Sequence, residues 1–276
     1  MNTVATQQDR AVIITGASRG IGAVTAEAFA ATGAAVVLAA RDASALDSVA
    51  RRITDRGGRA LAVPTDVRDL DSMRRLVDTA VATYGRLDAA FNNASAGPMP
   101  APLAEIDVDE FDRGIATNIR GTFLGMKFQI PAMLANGGGA IVNMASIAGI
   151  NGTANLAAYV AGKAGIIGLT KVAALDYADG GVRINVVAPG PILTHHLATA
   201  GAEAQRQAGL ATPMGRTGTP AEVAEVVVWL CSSQSSFVTG ATIPIDGGQS
   251  AGNKPRQMYR QGERMAATAQ KQTTEE

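Results

Sequence analysis

Short apolar segments of strand length alternate with longer amphipathic segments along most of the chain. The short segments are almost continuously apolar, which is typical of strands that helices cover on both faces. Strands separated by helix-length crossovers pair in parallel with right-handed connections. The pattern therefore predicts an α/β protein, one doubly wound domain with a seven-stranded parallel sheet and helices on both faces. The predicted strands are residues 11–15, 35–39, 59–63, 87–92, 140–145, 183–188 and 242–245.

Helical periodicity fills the intervals between these strands, and glycines mark several of the helix ends. Residues 97–102 contain three prolines and one glycine and are predicted as a loop, while residues 189–213 lack regular periodicity. From Asn253 onward the chain is rich in polar residues, so we expect a core domain over 1–252 and a polar tail over 253–276. The predicted helices are a run ending near residue 32 and residues 43–56, 69–84, 107–135, 156–177 and 220–231.

Composition narrows the class of protein. The chain has 276 residues, of which 47% are hydrophobic and 17% are charged, which is enough apolar material for a large core. Lys plus Arg and Asp plus Glu both number 24, so no net charge attracts nucleic acid or an anionic membrane. No apolar run approaches 18 residues, and the first ten residues lack a signal-peptide pattern. The single cysteine, Cys231, fits a reducing compartment, so we expect a cytoplasmic protein.

A glycine-rich turn follows the first predicted strand. Residues 15–22 read Thr-Gly-Ala-Ser-Arg-Gly-Ile-Gly, a G-x-x-x-G-x-G spacing. Glycines here would let the backbone approach a phosphate, and the following helix would offer free N–H groups and positive potential. A tight strand-to-helix turn without a ligand is the alternative. The strand before the turn and the helix after it supply the context that dinucleotide binding needs.

The end of the second strand bears on which dinucleotide is bound. An acidic residue there would bind the adenosine ribose hydroxyls and disfavour a 2′-phosphate. The chain instead reads Ala39-Ala40-Arg41, and Arg19 of the glycine-rich turn adds a second guanidinium nearby. Two guanidiniums and no carboxylate suit a 2′-phosphate, so the pattern predicts NADP(H). The alternative is that both arginines only solvate the surface.

Tyr159 and Lys163 are four residues apart, so on a helix they project from one face. A lysine ammonium about 4 Å from a phenol favours phenolate by roughly 4 kcal/mol, or about three pKa units, at an effective dielectric of about 20. Such a pair can pass protons to and from a carbonyl or alcohol oxygen. The spacing alone is weak evidence, and its meaning depends on the surrounding sequence.

Seven separated motifs follow one another along the chain, and they are residues 15–22, Asp66-Val67, Asn92-Asn93-Ala94, Asn118, Ser146, Tyr159-x-x-x-Lys163 and Pro189-Gly190-x-Ile192-x-Thr194. They occur in the order found in the short-chain dehydrogenase/reductase family, and the chain resembles that family from about residue 10 to residue 250. The likeness is nearest to the 3-oxoacyl-carrier-protein-reductase-like members, and it implies a Rossmann-type domain.

The resemblance implies roles for four catalytic residues. Tyr159 would be the general acid for carbonyl reduction or the base for alcohol oxidation. Lys163 would hold the nicotinamide ribose and lower the pKa of the tyrosine. Ser146 would hydrogen-bond the substrate oxygen, and Asn118 would hold a water that links Lys163 to solvent. If Asn118 is buried it needs a partner, and an ordinary helix–helix hydrogen bond is the alternative.

The resemblance also implies a cofactor site. The glycine-rich turn would bind the phosphates, Asp66 and Val67 would contact the adenine, and residues 189–194 would meet the nicotinamide. The residues expected to bind NADP(H) are Gly16, Ser18, Arg19, Gly20, Ile21, Gly22, Arg41, Asp66, Val67, Asn93, Ala94, Tyr159, Lys163, Pro189, Gly190, Ile192 and Thr194.

The chain departs from the family pattern at two positions. Ser95 follows Ala94 where many members have glycine, and its side chain is expected to crowd the cofactor cleft or alter that loop. Ala145 precedes Ser146 where many members have a second serine. The serine at the catalytic spacing is retained, so we expect no loss of function from that change.

The pair His195-His196 is expected to belong to a cover over the substrate rather than to a metal site, because adjacent histidines point apart and the chain has no other histidine. The two longest helices carry more apolar and small residues than one sheet face needs. Together with the resemblance, this predicts a homo-oligomer, a tetramer or a dimer.

The predicted function is an oxidoreductase that transfers hydride between NADP(H) and a ketone or secondary alcohol, a small molecule that the sequence does not name. The alternative from another class is a dinucleotide-binding sensor or scaffold subunit without turnover. Retention of Asn118, Ser146, Tyr159 and Lys163 favours the enzyme. A dehydratase or epimerase on the same scaffold is a further alternative.

Overall fold

A computed structural model describes residues 9–97 and 100–252, except for the side chain of His196. The predicted tail 253–276 and two positions of the loop over 97–102 lie outside the described residues, so the predicted domain limits stay a prediction. Seven parallel strands form one sheet in the order β3-β2-β1-β4-β5-β6-β7. The strands are β1 (Ala11–Thr15), β2 (Ala35–Ala40), β3 (Arg59–Pro64), β4 (Ala89–Asn92), β5 (Gly139–Met144), β6 (Val182–Pro189) and β7 (Thr242–Ile245).

Helices connect the strands and cover both faces of the sheet, so the predicted doubly wound architecture is confirmed. Every predicted strand is present, with ends that differ from the prediction by at most two residues. Short 3₁₀ turns occur at Leu103–Glu105, Ile147–Gly149 and Ser233–Ser235. The helices are α1 (Gly20–Ala31), α2 (Ala43–Thr54), α3 (Leu70–Tyr84), α4 (Val108–Ile115), α5 (Gly121–Ala135), α6 (Ala157–Tyr177), α7 (His195–Thr199), α8 (Ala202–Leu210) and α9 (Pro220–Leu230).

Alternation along the strands divides the core into two layers, because successive strand side chains point to opposite faces. In β1, Val12 and Ile14 are buried in one layer with Phe29 of α1, and this layer also holds residues of α2 and α9. Ile13 lies in the other layer, with Leu76 of α3 and residues of α5. All five residues of β1 are buried, which explains why this strand reads as continuously apolar.

Side-chain caps start several helices where the sequence changes from strand to helix. Asp42, Asp69 and Asp107 each accept a hydrogen bond from a backbone N–H in the first turn of α2, α3 and α4. Thr219 and Glu222 form a reciprocal capping box at the start of α9. Gly85 ends α3 in the left-handed region with φ of 74°, which glycine adopts without steric cost.

The predicted helix over 107–135 is nearly continuous, but it is not a uniform α-helix. A π-helical turn, Ala116–Arg120, separates α4 from α5, and it contains the buried Asn118. The sequence pattern does not reveal such a turn, because a single extra residue leaves helical sequence on both sides of it.

The segment over 189–213 corrects a second prediction, since it contains α7 and α8 rather than irregular chain alone. Both helices are short, and much of α8 is exposed. Their small and polar residues form no apolar stripe, so the sequence shows no helical period there. Tertiary contacts hold the segment instead, among them a parallel bridge between Ile192 and Gly218.

By length and composition alone, α6 could cross a membrane, since its most apolar window has a mean hydropathy of 1.3. In the fold, however, α6 packs against β6 and buries Lys163, Ile166 and Thr170. It is therefore a core helix of the domain, and its outer face exposes Val172 and Leu175.

Candidate active site

The predicted site residues gather at the carboxyl edge of the sheet, around the point where the strand order reverses between β1 and β4. Thr15, Asn92 and Met144 end β1, β4 and β5, and Thr15 lies in register with Asn92. Doubly wound sheets bind ligands at such a switch point, because the flanking helices diverge there and leave a crevice.

The glycine-rich turn is packed so tightly that two of its glycines have no room for a side chain. A β-carbon on Gly22 would lie 2.3 Å from the carbonyl oxygen of Gly16. One on Gly16, which has φ of +66°, would lie 2.8 Å from Nδ2 of Asn93. Gly20 is also in the left-handed region, and a β-carbon there would lie 3.8 Å from the side chain of Thr194. The turn thus brings the start of α1 close to residues after β4 and β6.

Asn93 and Ala94 tie the end of β4 to this turn. The backbone N–H groups of Asn93 and Ala94 donate to Oγ1 of Thr15 at 3.0 and 3.1 Å. Nδ2 of Asn93 donates to the carbonyl oxygens of Thr15 and Gly16 at 3.0 and 3.2 Å. Both residues therefore line the predicted cleft, and the Asn93 side chain also holds the glycine-rich turn in place.

Arg19 and Arg41 are exposed at the far end of the cleft, where the prediction placed a 2′-phosphate. Asp42 is also exposed, but Oδ1 of its carboxylate accepts from Ala45 N and Ser44 Oγ at the start of α2. These hydrogen bonds, with a smaller contribution from the charge of Arg19, lower the pKa of Asp42. The first carboxylate after β2 is thus engaged with its own helix.

Asp66 and Val67 lie beside this region, as the prediction for the adenine requires. The Asp66 carboxylate accepts from the guanidinium of Arg68, and their shortest contact is 2.7 Å. This hydrogen bond lowers the pKa of Asp66, and the charge of Arg41 contributes in the same direction. Val67 is buried against the start of α5, where a β-carbon on Gly121 would lie 2.9 Å from its Cγ2.

Tyr159 and Ser146 come together although they lie on different elements. Tyr159 is in the first turn of α6, and Ser146 starts the 3₁₀ turn after β5, where its Oγ accepts from Ala148 N at 3.2 Å. Burial raises the pKa of Tyr159, and a hydrogen bond with Ser146 opposes that rise in part. The two hydroxyl groups can therefore face one substrate oxygen.

Lys163 is 1% exposed, and its Nζ donates to the carbonyl oxygen of Met144 at 2.9 Å. Nζ lies 5.6 Å from the centre of the Tyr159 ring. Burial lowers the pKa of Lys163 to about 7, so near neutral pH the group is only partly charged. This corrects the prediction for the tyrosine, because in this arrangement the pKa of Tyr159 is raised by burial rather than lowered by the lysine.

Asn118 is 1% exposed in the π-helical turn, and it faces α6 next to Lys163. A β-carbon on Gly162 would lie 2.9 Å from Cβ of Asn118, so only glycine leaves room there. Oδ1 of Asn118 accepts from Oγ of Ser95 at 2.9 Å. Ser95 is the functional candidate that the sequence alone did not identify; its only signal was that a serine replaces the glycine common in the family.

A small cavity of about 20 Å³ lies between Asn118 and Tyr159, and it has room for one ordered water. The residues after β4 and the first turn of α6 close it on two sides. The predicted water, held by Asn118 and linking Lys163 to solvent, stays a prediction, since Asn118 lines this cavity but Lys163 is not among its lining residues. Its lining residues include Ala96, Gly97, Glu110, Asn118, Leu156 and Tyr159.

The last predicted segment, over 189–194, follows β6 and passes the glycine-rich turn. Pro189 is buried, and a β-carbon on Gly190 would lie 2.9 Å from Cα of Asp246. Ile192 is buried as well, and the Thr194 side chain approaches Gly20. These contacts place the segment across the mouth of the cleft, where the prediction put the nicotinamide.

Comparison with known proteins assigns this arrangement to a family. The model of a family described as enoyl-(acyl carrier protein) reductase matches residues 16–250. Cis-4-hydroxycyclohexanecarboxylate dehydrogenase of Sinomonas cyclohexanicum is 44% identical over 243 residues, which are 88% of this chain and 97% of the relative. The chain belongs to the short-chain dehydrogenase/reductase family. The family predicted from the seven motifs is thus confirmed.

Other members of the family support the same assignment. Cyclohexanol dehydrogenase of Acinetobacter sp. (strain SE19) is 43% identical over 239 residues, covering 87% of this chain and 94% of the relative. The crystal structure of levodione reductase has a TM-score of 0.86 at 34% identity, covering 89% of this chain and 99% of its own. A short-chain type dehydrogenase/reductase from Mycobacterium marinum has a TM-score of 0.85 at 34% identity, with 90% and 98% covered.

Members of the family use a nicotinamide dinucleotide, and the described residues fit one. No side chain caps α1 at Arg19, and the first turn of α1 carries no acidic residue, so its N–H groups and positive potential face the crevice. The glycines of the turn keep its backbone close to the residues after β4 and β6. A phosphate therefore fits at the start of α1.

Proposed function

We propose that this short-chain oxidoreductase of secondary alcohols and ketones transfers hydride between NADP(H) and a cyclic, uncharged ketone or secondary alcohol, with Tyr159 as the general acid and base. The observation that carries the proposal is the meeting of Tyr159 with Ser146 at the carboxyl edge of the sheet, beside the buried Lys163 and the phosphate-binding turn.

Each catalytic side chain has a role that follows from its position. Ser146 donates a hydrogen bond to the substrate oxygen, and Tyr159 gives that oxygen a proton during reduction or takes one during oxidation. When bound, the dinucleotide supplies the hydride, and Lys163 would hold its nicotinamide ribose. The low pKa of the buried Lys163 in the cofactor-free protein lets it accept a proton near neutral pH. Asn118, in the π-helical turn, is the fourth of the proposed catalytic residues.

The choice of NADP(H) rests on Arg19 and Arg41. Both guanidiniums are exposed where the adenosine end of the cleft lies, while Asp42 caps α2 with its carboxylate. A 2′-phosphate would gain charge-assisted hydrogen bonds from one or both arginines. The first carboxylate after β2, that of Asp42, already accepts hydrogen bonds from Ala45 N and Ser44 Oγ through Oδ1, which makes it a poorer partner for a bare ribose.

The choice of an uncharged substrate rests on the cover formed by residues 193–216. Its two arginines are already paired, Arg206 with Glu203 at 2.7 Å and Arg216 with Glu222 at 2.7 Å. Leu193 and Met214 of the same cover are exposed apolar side chains. Two relatives are named for cyclohexane-ring substrates, one with a carboxylate and one without. The paired arginines favour the uncharged ring.

The test follows nicotinamide absorbance with cyclohexanol, cyclohexanone and 4-hydroxycyclohexanecarboxylate, each with NADP(H) and with NAD(H). The proposal expects turnover with the uncharged ring and NADP(H), and stoichiometric consumption of the dinucleotide. Tight NADPH binding without turnover on a broad panel of ketones would favour the non-catalytic sensor instead. Turnover without net use of the dinucleotide would favour a dehydratase or epimerase.

We also propose a homo-oligomer, a tetramer or a dimer, because α5 and α6 expose apolar side chains that a second copy would cover. Leu175 is 83% exposed, Val172 is 58% exposed and Phe123 is 46% exposed. Light scattering should give a mass above that of one chain, and Leu175→Glu should lower it. A monomer at micromolar concentration would overturn this part. The proposal places the enzyme in the cytoplasm, where Cys231 stays reduced.

A further inference from the structure

Ser95 makes a contact that joins two separate parts of the site. It lies in the loop after β4, directly after Ala94, and its Oγ lies 2.9 Å from Oδ1 of Asn118 in the π-helical turn. The carbonyl oxygen of Ala96 is a longer second acceptor at 3.3 Å. A hydroxyl has one proton, and the shorter contact to Asn118 is the better hydrogen bond.

The Asn118 carboxamide depends on this contact. The residue is 1% exposed, and among the described residues its Nδ2 has no hydrogen-bond partner. Nδ2 lies on the side of α6, where a β-carbon on Gly162 would be 3.3 Å away. The hydrogen bond from Ser95 therefore fixes Oδ1 toward the β4 loop and leaves the N–H groups turned toward α6.

Asn118 also borders a cavity that it shares with Tyr159. That cavity has room for one water, and Asn118 and Tyr159 both line it. An unpaired amide donor on a residue beside such a space is suited to hold a water or a polar group near the tyrosine. Its direction matters, because a carboxamide turned by half a rotation would present an acceptor in place of a donor.

We propose that Ser95 is a positioning residue that sets the orientation of the Asn118 carboxamide and, through it, proton transfer at Tyr159. The inference rests on the proposed function, since it concerns the same proton-transfer path. Rotation about the last side-chain bond of asparagine has broad, roughly two-fold minima, so the amide needs a partner to select one orientation. Ser95 is that partner, and alanine or glycine at position 95 would remove it.

The first experiment compares Ser95→Ala, Ser95→Gly and Ser95→Thr in the full-length enzyme with NADPH and its best ketone. We expect Ser95→Ala and Ser95→Gly to lower kcat by about 5–10-fold and to shift the pH profile of kcat, with the KM for NADPH unchanged. Ser95→Thr keeps a hydroxyl and should retain most of the turnover. The matched control is Ser48→Ala, which removes an exposed hydrogen bond to Ser44 O on α2 and should change nothing.

The second experiment is a double-mutant cycle with Asn118→Ala. If Ser95 acts through Asn118, adding Ser95→Ala to Asn118→Ala should cause no further loss of kcat. Melting temperatures of all variants, measured without cofactor, separate unfolding from a defect in proton transfer. Equal losses from Ser95→Ala in both backgrounds, or wild-type kcat in Ser95→Ala, would overturn the role of Ser95. An inactive but NADPH-binding wild type would instead overturn the proposed function.

Discussion

Nζ of Lys163 donates a hydrogen bond of 2.9 Å to the carbonyl oxygen of Met144, the last residue of β5. This bond turns the ammonium toward the sheet edge, and the lysine is 1% exposed. The tyrosine one turn earlier therefore stands beside the lysine without a direct bond between the two polar groups. Burial sets the pKa of both groups in the cofactor-free protein.

Lys163 should make the stability of the cofactor-free protein depend on pH. Its pKa is about 7 in the folded protein and 10.5 ordinarily, so between these values the unfolded chain binds more protons. The free energy of unfolding should therefore rise with pH between these two pKa values. Below about pH 7 the destabilisation that comes from burying the charged lysine is fully present. Between pH 7 and 9.5, urea unfolding should show that the free energy of unfolding of the wild type rises by on the order of 2 kcal/mol relative to that of Lys163→Met. Parallel curves for the two proteins would contradict the burial of a titrating lysine.

Tyr159→Phe should abolish most turnover while leaving the cofactor bound. The ring is kept and only the hydroxyl that moves the proton is lost, so kcat should fall by ~10²–10⁴. Fluorescence titration should give nearly the same Kd for NADPH as in the wild type. Tyr177→Phe, at the other end of α6, is the matched control and should keep its turnover. A Tyr159→Phe enzyme with near-normal kcat would remove Tyr159 from its role.

Arg41→Asp should shift the preference from NADP(H) to NAD(H). The substitution removes a cation and adds a carboxylate where the 2′-phosphate is expected, so the NADPH/NADH ratio of kcat/KM should fall by about 10–100-fold. Arg75→Asp changes an exposed arginine on α3 in the same way and should leave the ratio unchanged. An unchanged NADPH/NADH ratio in Arg41→Asp would mean that other residues bind the 2′-phosphate.

Gly22→Ala should damage the phosphate-binding turn. The new β-carbon would lie 2.3 Å from the carbonyl oxygen of Gly16, so the turn must move, at a cost of about 1–3 kcal/mol in unfolding free energy. NADPH affinity should fall by tenfold or more, as isothermal titration would show. Gly152→Ala meets no atom within 4 Å and is the control for both measurements. Wild-type affinity in Gly22→Ala would refute the role of this turn.

Asp88→Asn should destabilise the fold at the edge of the sheet opposite the site. The carboxylate is buried and accepts from Ala11 N at 2.9 Å and from the Arg86 guanidinium at 2.7 and 2.6 Å. Burial alone would raise the pKa of Asp88, but these hydrogen bonds outweigh it and lower the pKa. Its contribution is therefore present at neutral pH and lost as pH falls through the lowered value.

Thermal and urea unfolding at pH 7 should show a loss of about 1.5–3 kcal/mol for Asp88→Asn, because a buried carboxylate that accepts charge-assisted hydrogen bonds from the half-exposed Arg86 is replaced by a neutral amide. Asp71→Asn breaks an exposed pair with Arg74 and should cost less than about 1 kcal/mol. The kcat of Asp88→Asn below its melting temperature should equal that of the wild type. A stability equal to that of Asp71→Asn would show that the buried cluster adds nothing.

The strands were predictable from the sequence because the sheet is covered on both faces. Five consecutive buried residues in β1 leave a signal that local apolar content detects directly. The π-helical turn around Asn118 and the helices α7 and α8 were not predictable in this way. Their stability comes from contacts distant in sequence, such as the bridge between Ile192 and Gly218, which leave no local period.

Tyr159 and Lys163 also show which features the sequence predicts and which only the structure reveals. The spacing of Tyr159 and Lys163 predicted that both lie on one face of a helix, and α6 contains both. The predicted effect of the lysine on the tyrosine was wrong for the cofactor-free protein, because spacing does not reveal how deeply a group is buried. Burial reverses the expected direction for the tyrosine pKa and brings the lysine pKa to about 7.

By itself the sequence determined the fold class, the family and the order of the site residues, because each of these is written in local patterns and in motifs that do not require distances. Only the tertiary structure decided which groups touch. It placed Ser95 against Asn118, turned Lys163 toward Met144 and paired the arginines of the cover with glutamates. The physical reason is that hydrogen bonds and desolvation depend on distances of a few ångströms, which residues far apart in sequence acquire only when the sheet and helices pack.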